Sequence, residues 1–259
     1  MALVDRIREL ATSRGADYFG VADLTPSRDF IVAQGGEAMG EYPRAVVMGI
    51  VLLDALVDGL PQGDAQGKIL YRHHAYDVVN AVLDQAALRV ANLLQREGHR
   101  AFPIPASKRV DDARICAAFS QKLAAHLAGL GWIGKSCLLV TPDHGPRVRW
   151  ISVLTDAPLA PTGSPMEERC GDCNLCGAAC PPQAITGRPF RADEPREARL
   201  DAALCERHFG EVGERTGTPV CGLCVYICPY GRSRTMKDGG AGKGGQRPTP
   251  GGLTGINSP

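Results

Sequence analysis

Cys170-Gly-Asp-Cys173-Asn-Leu-Cys176-Gly-Ala-Ala-Cys180-Pro181-Pro-Gln-Ala-Ile185 is the stretch on which the reading of this chain turns. Its cysteines follow C-x2-C-x2-C-x3-C-P, the spacing at which three thiolates hold one cube of four irons while the fourth reaches a neighbouring cube. A second run, Cys221-x2-Cys224-x3-Cys228-Pro229, lies downstream, with Cys205 between the two. The rule makes the runs interdependent. Cys170, Cys173 and Cys176 need a distant fourth ligand, assigned to Cys228; Cys180 then joins Cys205, Cys221 and Cys224. Two [4Fe-4S] clusters need eight thiolates, and these positions supply eight of the chain's 10 cysteines. Structural zinc sites also use paired C-x2-C units, but zinc has no use for the third cysteine of C-x2-C-x2-C. Disulfides belong to oxidising compartments, and the charged N-terminus, MALVDRIRELATSRGADYFG, is no secretory signal. Of the two remaining cysteines, Cys137 sits in apolar SCLLV and reads as a buried thiol. Cys116 is either buried or reactive.

The 259 residues suit one large domain or two modest ones. A net charge of +1, from 29 basic and 28 acidic residues, gives no electrostatic footprint for nucleic acid. The longest apolar run, 45–53, is too short to span a bilayer. The expected protein is cytoplasmic and makes no membrane contact.

Residues 2–14 form one amphipathic helix, with Leu3, Ile7, Leu10 and Ala11 on a face and Gly15 at the end. YFGVA (18–22) reads as a strand, and RAVVMGIVLL (44–53) as a strand buried on both faces. A long helix is expected over 71–97, with Val78, Val79, Val82, Leu83, Ala86, Val90, Leu93 and Leu94 facing the core. RAFPI (100–104) is an edge strand because Pro103 cannot donate to a ladder. A helix over 119–128 ends at Gly129, and 138–141 with 147–154 form a hairpin about Pro142-Asp143-His144-Gly145. The fold class is therefore α+β rather than doubly wound. An α+β cofactor and substrate domain is expected over 1–160, the cysteine module over 165–232 with a helix over 199–214 carrying Cys205, and a disordered Gly/Pro-rich tail over 237–259.

GLGWIGKS (129–136) spells the phosphate-loop pattern G-x4-G-K-[ST]. That loop leaves a strand and enters a helix, aiming bare N–H groups at phosphate. Here a helix precedes and a strand follows, and Trp132 and Ile133 crowd the loop, so nucleotide binding is not expected.

AGLGWIGKSCLLV (128–140), LTDAPL (154–159), CGDCNLCGAACPPQAI (170–185), LDAALC (200–205) and CGLCVYICPYGR (221–232) together resemble the epoxyqueuosine reductase family, relatives of the reductive dehalogenases, over roughly residues 1–232. The resemblance implies a nitroreductase-like N-terminal domain that binds a corrinoid, followed by a ferredoxin-like module with two [4Fe-4S] clusters. It implies a cobalamin that reduces an organic substrate, and it maps the family's cluster ligands onto the eight cysteines above. Members acting on tRNA carry a V-D-S-A-P-type segment whose Asp donates a proton. Here Val110-Asp111-Asp112-Ala113-Arg114 stands further upstream, which makes Asp111 the positional candidate for that catalytic role; a solvated acidic turn capping the next helix is the simpler alternative for Asp111 and Asp112. Those members also continue into a helical-repeat domain that grips tRNA. This chain carries a glycine-rich stretch after the module instead, and tRNA is not expected as its partner.

Other residues invite roles. Tyr71-Arg72-His73-His74-Ala75-Tyr76 is rich in polar aromatic groups; adjacent histidines face different ways on a helix and cannot chelate one ion together. Lys135 lies within the family block and is the cofactor-binding candidate, Lys122 reads as a surface lysine, and His144 as an exposed turn residue. Trp132 either walls a flat cofactor or fills the core. The leading functional expectation is an iron–sulfur oxidoreductase. A donor such as a ferredoxin or flavodoxin reduces it, and electrons pass through two clusters to a cofactor, cobalamin by resemblance, and a small organic substrate. The alternative is a dicluster electron-transfer protein serving a partner enzyme; some 150 residues ahead of the clusters exceed what a carrier needs.

Overall fold

The computed structural model describes residues 1–62 and 64–232. The expected tail over 237–259 lies outside the described residues. The centre is a four-stranded antiparallel sheet of β1 (Tyr18–Asp23), β2 (Arg44–Val51), β3 (Ala101–Ile104) and β6 (Val148–Thr155), in the order β1-β2-β6-β3. A two-stranded ribbon of β4 (Trp132–Ile133) and β5 (Leu139–Val140) stands apart. β2 alternates its side chains between two cores because successive residues of a strand point to opposite faces. Val46 and Met48 enter the layer containing helices Leu3–Ser13 and Val79–Arg96, while Ala45 and Val47 enter the layer containing helix Gln121–Leu127. That double burial is why the run reads as continuously apolar. The class is α+β, with β3 at the sheet edge where Pro103 is tolerated.

Two expectations are corrected. First, 138–141 and 147–154 do not form a hairpin with each other. β5 pairs with β4, Leu139 opposite Ile133, and β6 pairs with β2 and β3. The turn between them is closed by paired backbone bonds between Thr141 and Gly145 at 2.9 and 3.0 Å. Gly145, at φ 56°, lies against the backbone of Gly231, so a side chain there would collide with the C-terminal end of the cysteine module. Second, the long helix begins earlier, at Ala65, and passes through a π-helical turn, His73–Val78, before Val79–Arg96. The extra residue per turn rotates the register. Val78 is consequently 44% exposed, while Val79, Leu83, Val90 and Leu94 are buried. No helix among the described residues is long and apolar enough to cross a membrane.

Candidate iron–sulfur site and adjoining cavity

The thiols of both runs fold into one region. Short helices follow the first cysteines of each run, Leu175–Ala178 and Leu223–Tyr226, and helix Ala202–Thr216 presents Cys205, with Asp201 capping its N-terminus by accepting the Leu204 N–H at 2.9 Å. Electrostatics shows which thiols face one another. Burial, followed by the charges of Cys180 and Cys221, pushes the Cys205 thiol up to about 11. Burial raises Cys224 further, and Cys221, Cys205, Cys176 and Cys180 add to it. Burial brings Cys228 to about 11, with Cys170 and Cys176 as its thiol neighbours. Cys176, also raised by burial, feels Cys173, and burial with Glu168 takes Cys170 to about 11. Cys170, Cys173, Cys176 and Cys228 thus neighbour one another, as do Cys180, Cys205, Cys221 and Cys224, and Cys176 links to Cys224 across the two groups. All are free thiols. Among the described residues no three His, Cys, Asp or Glu side chains converge as a single-ion site demands; the thiols stand in these broader foursomes.

The donor set fits iron–sulfur cubes. Burial makes Cys170, Cys176, Cys205, Cys221, Cys224 and Cys228 hold their protons unless a cationic core compensates them, and ligation by thiolate releases those protons. Polar groups for the sulfurs are in place. The Ala184 N–H donates to the Cys180 sulfur at 3.3 Å. Trp132, wholly buried and edge-on to Tyr230 at 4.8 Å, has no well-formed hydrogen bond from Nε1, and its indole N–H draws the Cys170 thiol pKa down. A Cβ added at Gly134 would come within 2.8 Å of Val140 Cγ2 and would stand 3.4 Å from the Cys170 sulfur, so this backbone lies directly beside the thiol.

Of three residues around the second foursome, Tyr71 belongs to the polar aromatic run 71–76 already singled out, while Lys68 and Leu60 carried no motif in the sequence. Lys68 is buried and its charge pulls the Cys221 thiol down. Tyr71 is buried, which raises its phenol, and Cys224 and Cys221 oppose its ionisation too. Leu60 packs against Gly222, where a Cβ would come within 2.7 Å of it. Nothing local in the sequence marks Lys68 as buried.

β4 separates the first foursome from a cavity of about 610 Å³. Its two side chains face opposite ways: Trp132 stands by Cys170, and Ile133 lines the cavity. The apolar wall also includes Phe119, Leu139 and Trp150, and the segment from Phe190 to Arg199 covers one side. Lys122 lines this cavity, correcting its reading as a surface lysine. Its Nζ donates to the Cys137 carbonyl at 2.6 Å, and burial, with repulsion from Arg196 and Arg199, holds its ammonium below the usual lysine range. The hydrophobic run around Cys137 hid this, because the lysine's partner is a backbone carbonyl. Cys137 is buried and Cys116 half-buried, both on the cavity wall.

The remaining candidates lie elsewhere. Asp111 is in a turn, where its carboxylate accepts the Arg114 N–H at 2.8 Å and its backbone bridges Cys116; it does not line the cavity. Lys135 donates to the Gly171 carbonyl at 2.6 Å and lies beside the first foursome, where its charge draws Cys176 down. His144 is exposed, with Nδ1 2.7 Å from the Tyr18 hydroxyl. His73 pairs with Asp77 at 3.3 Å, and Tyr76 lies between the guanidinium groups of Arg72 and Arg149, at 4.6 and 4.4 Å.

Comparison with known proteins bears on both regions. Residues 169–231 match the 4Fe-4S double cluster binding domain, a span that takes in Cys170 through Cys228. The epoxyqueuosine reductase of Yersinia pestis is 35% identical over 149 residues, covering 56% of this chain and 34% of that protein. That of Xanthomonas campestris pv. campestris is 32% identical over 160 residues, covering 58% and 41%. The chain thus matches well under two thirds of the length of these relatives. In structure, an epoxyqueuosine reductase solved with a tRNA-Tyr epoxyqueuosine-modified stem loop aligns at TM-score 0.56 and 18% identity, over 88% of this chain and 64% of that one. A catabolic reductive dehalogenase in complex with 3-bromo-4-hydroxybenzoic acid aligns at TM-score 0.62 and 21% identity, over 88% and 31%. With residues 169–231 matching a 4Fe-4S double cluster binding domain and its fold aligned over 88% of its length, this chain is similar to part of the epoxyqueuosine reductases and has the fold they share with the reductive dehalogenases.

Proposed function

We infer that this chain is an iron–sulfur reductase in which a cofactor and substrate unit, residues 1–160, receives electrons from a two-cluster module, residues 165–232. The carrying observation is β4: one residue faces the thiol group and its neighbour faces the cavity, so a single strand separates the place where electrons are held from the place where an organic molecule fits. Cys170, Cys173, Cys176 and Cys228 would hold one [4Fe-4S] cluster, and Cys180, Cys205, Cys221 and Cys224 the other. The clusters would supply one-electron transfer from a donor such as a ferredoxin or flavodoxin.

The chain's own residues set the conditions. Trp132 offers an N–H to sulfur, Lys68 offsets thiolate charge, and the apolar packing around β4 excludes water. The cavity volume falls in the range that encloses a small organic molecule. Ile133 and Leu139, on the side of the cavity next to β4, also suit the face of a flat macrocycle, and a bound cobalamin would supply a strongly reducing metal centre there. Asp111 stays a proton-donor candidate, with its present hydrogen bond to the Arg114 N–H as the competing structural role.

Anaerobic purification, iron and sulfide analysis, and visible spectra with and without added cobalamin test the reading. Iron–sulfur absorbance that dithionite bleaches, a corrinoid band retained through gel filtration, and reoxidation of the reduced protein by an organic or tRNA substrate support it. Iron–sulfur absorbance with no retained cofactor and no substrate that reoxidises the protein would instead identify an electron carrier for a partner enzyme.

A further inference from the structure

The cavity behind β4 is unevenly charged. Its acidic wall residues, Asp193, Glu194 and Glu197, each have an arginine: Arg191 to Asp193 at 3.2 Å, Arg188 to Glu194 Oε1 at 2.6 Å, and Arg196 to Glu197 at 2.8 Å, although Glu194 Oε2 is buried with no hydrogen-bond partner. Four cations of the wall have no such match among the described residues; Arg114 reaches the Ala33 carbonyl and Arg149 the Asn80 amide oxygen and the Tyr76 ring, which leaves Lys122 and Arg199. Lys122 forms no ion pair among the described residues, and its one hydrogen bond goes to the neutral Cys137 carbonyl. Arg199 is 5% exposed, lies on the Phe190 ring at 4.8 Å and reaches the Arg191 carbonyl at 3.3 Å, yet its buried Nε has no hydrogen-bond partner. Lys122 and Arg199 are close enough to repel each other, and the carboxylate that acts on Lys122, Glu197, is already paired with Arg196. Gln121 adds a buried amide oxygen with no partner on the same wall.

Burying an unpaired cation is costly, and two that repel are costlier. A buried guanidinium N–H left without an acceptor is a further penalty. An oxyanion between them removes all three costs at once. Arg suits such a group because its fork matches carboxylate and phosphate oxygens. The apolar wall around Trp150 fits a hydrophobic body attached to the charged group.

We propose that this cavity binds an organic anion, whose carboxylate or phosphate is paired by Lys122 and Arg199 while its apolar body lies against Trp150 and Phe119. The inference rests on the reductase reading only for calling that anion a substrate; binding itself requires no electrons. It is therefore tested on the oxidised, cluster-loaded protein by calorimetry and by quenching of tryptophan fluorescence. The probes are phenylacetate, phenyl phosphate, inorganic phosphate and, as the neutral control, phenylacetamide.

Saturable binding of phenylacetate or phenyl phosphate, at least tenfold tighter than phenylacetamide, is expected. Lys122→Met and Arg199→Gln each weaken it at least tenfold, and Lys122→Arg retains it within about threefold. Preference for phenyl phosphate over phenylacetate assigns the site to a phosphate-bearing ligand, and the reverse to a carboxylate. Both support the proposal. Circular dichroism and iron content unchanged in Lys122→Arg separate loss of the site from loss of the fold. Equal binding of phenylacetamide, binding of inorganic phosphate as tight as phenyl phosphate, no binding of any probe, or undiminished binding in a folded Lys122→Met protein overturns it. A failed reductase assay with anion binding intact would retire the reductase reading and leave the anion site standing.

Discussion

At the scale of single residues, the chemistry depends on groups that modulate sulfur and on groups that titrate. Lys68 is buried near Cys221 and draws its thiol pKa down. Removing a positive charge makes adding an electron harder, so Lys68→Met should lower the potential of the cluster held by the second foursome, on the order of tens of millivolts. Trp132→Phe should do the same for the other cluster by deleting the indole N–H near Cys170. Redox titration followed by electron paramagnetic resonance reads both, and a shift in the wrong cluster would refute the assignment of neighbours. His126 offers a pH test. It is 9% exposed, its Nδ1 is 3.1 Å from the Gly131 carbonyl, and burial outweighs that bond to lower its pKa. The folded protein thus resists protonating an imidazole that the unfolded chain protonates near 6.5. This contribution to stability is complete above about pH 6.5 and is lost as pH falls from there toward the depressed folded value, on the order of 1 kcal/mol per pH unit. Urea midpoints at pH 7.5 and 5.5 should differ less in His126→Gln than in the wild type.

At the scale of elements, one buried guanidinium joins helix Asp54–Asp58 to the start of β6. Arg147, whose side chain is 2% exposed, donates to Asp54 at 2.7 Å and Asp58 at 2.6 Å. The asymmetry of burial sets the mutational outcome. Asp54 and Asp58 retain contact with water, whereas Arg147 does not. The double substitution Asp54→Asn with Asp58→Asn strands a buried charge and should cost about 3–5 kcal/mol. Arg147→Met frees two carboxylates that water can solvate and should cost less than half as much. Thermal unfolding of the two variants measures the difference, and equal losses would contradict it. The same neighbourhood explains the misplaced hairpin. Thr141 to Gly145 is a genuine turn, but Gly145 packs on Gly231, and both edges of β6 are already taken, by β2 and β3, so 138–141 finds no place beside it. Turn residues report a reversal of direction and say nothing of which strand takes the partner.

At the scale of the whole molecule, the two cysteine runs are interleaved, and this makes a cross-over prediction. Cys180→Ser should abolish the cluster otherwise built from Cys205, Cys221 and Cys224, and Cys228→Ser the one built from the first run. Each variant should fall from about eight irons per chain toward four. Losing the cluster of its own run instead would show that the runs bind independently. Iron removal by chelation should also lower the melting temperature, since ligand binding and folding are coupled in such modules.

Much of this was legible locally. Cysteine spacing is set by the reach of short loops around a cube, so the foursomes could be read before any fold was known, and the edge position of β3 followed from Pro103 alone. The double burial of β2 was visible as an unbroken apolar run. Other features were not local. Val78 turned outward because a π-turn shifted the helix, and Lys122 turned inward because its partner is the Cys137 carbonyl, 15 residues away in sequence. The strand β4 acquired its meaning only when Cys170 came to stand behind Trp132. Sequence by itself determined the α+β class and which cysteines to look for as neighbours, because periodicity and spacing act over a few residues. Tertiary structure alone decided which cations face the cavity and which strand divides it from the thiols, because burial and charge are properties of everything that packs around a residue.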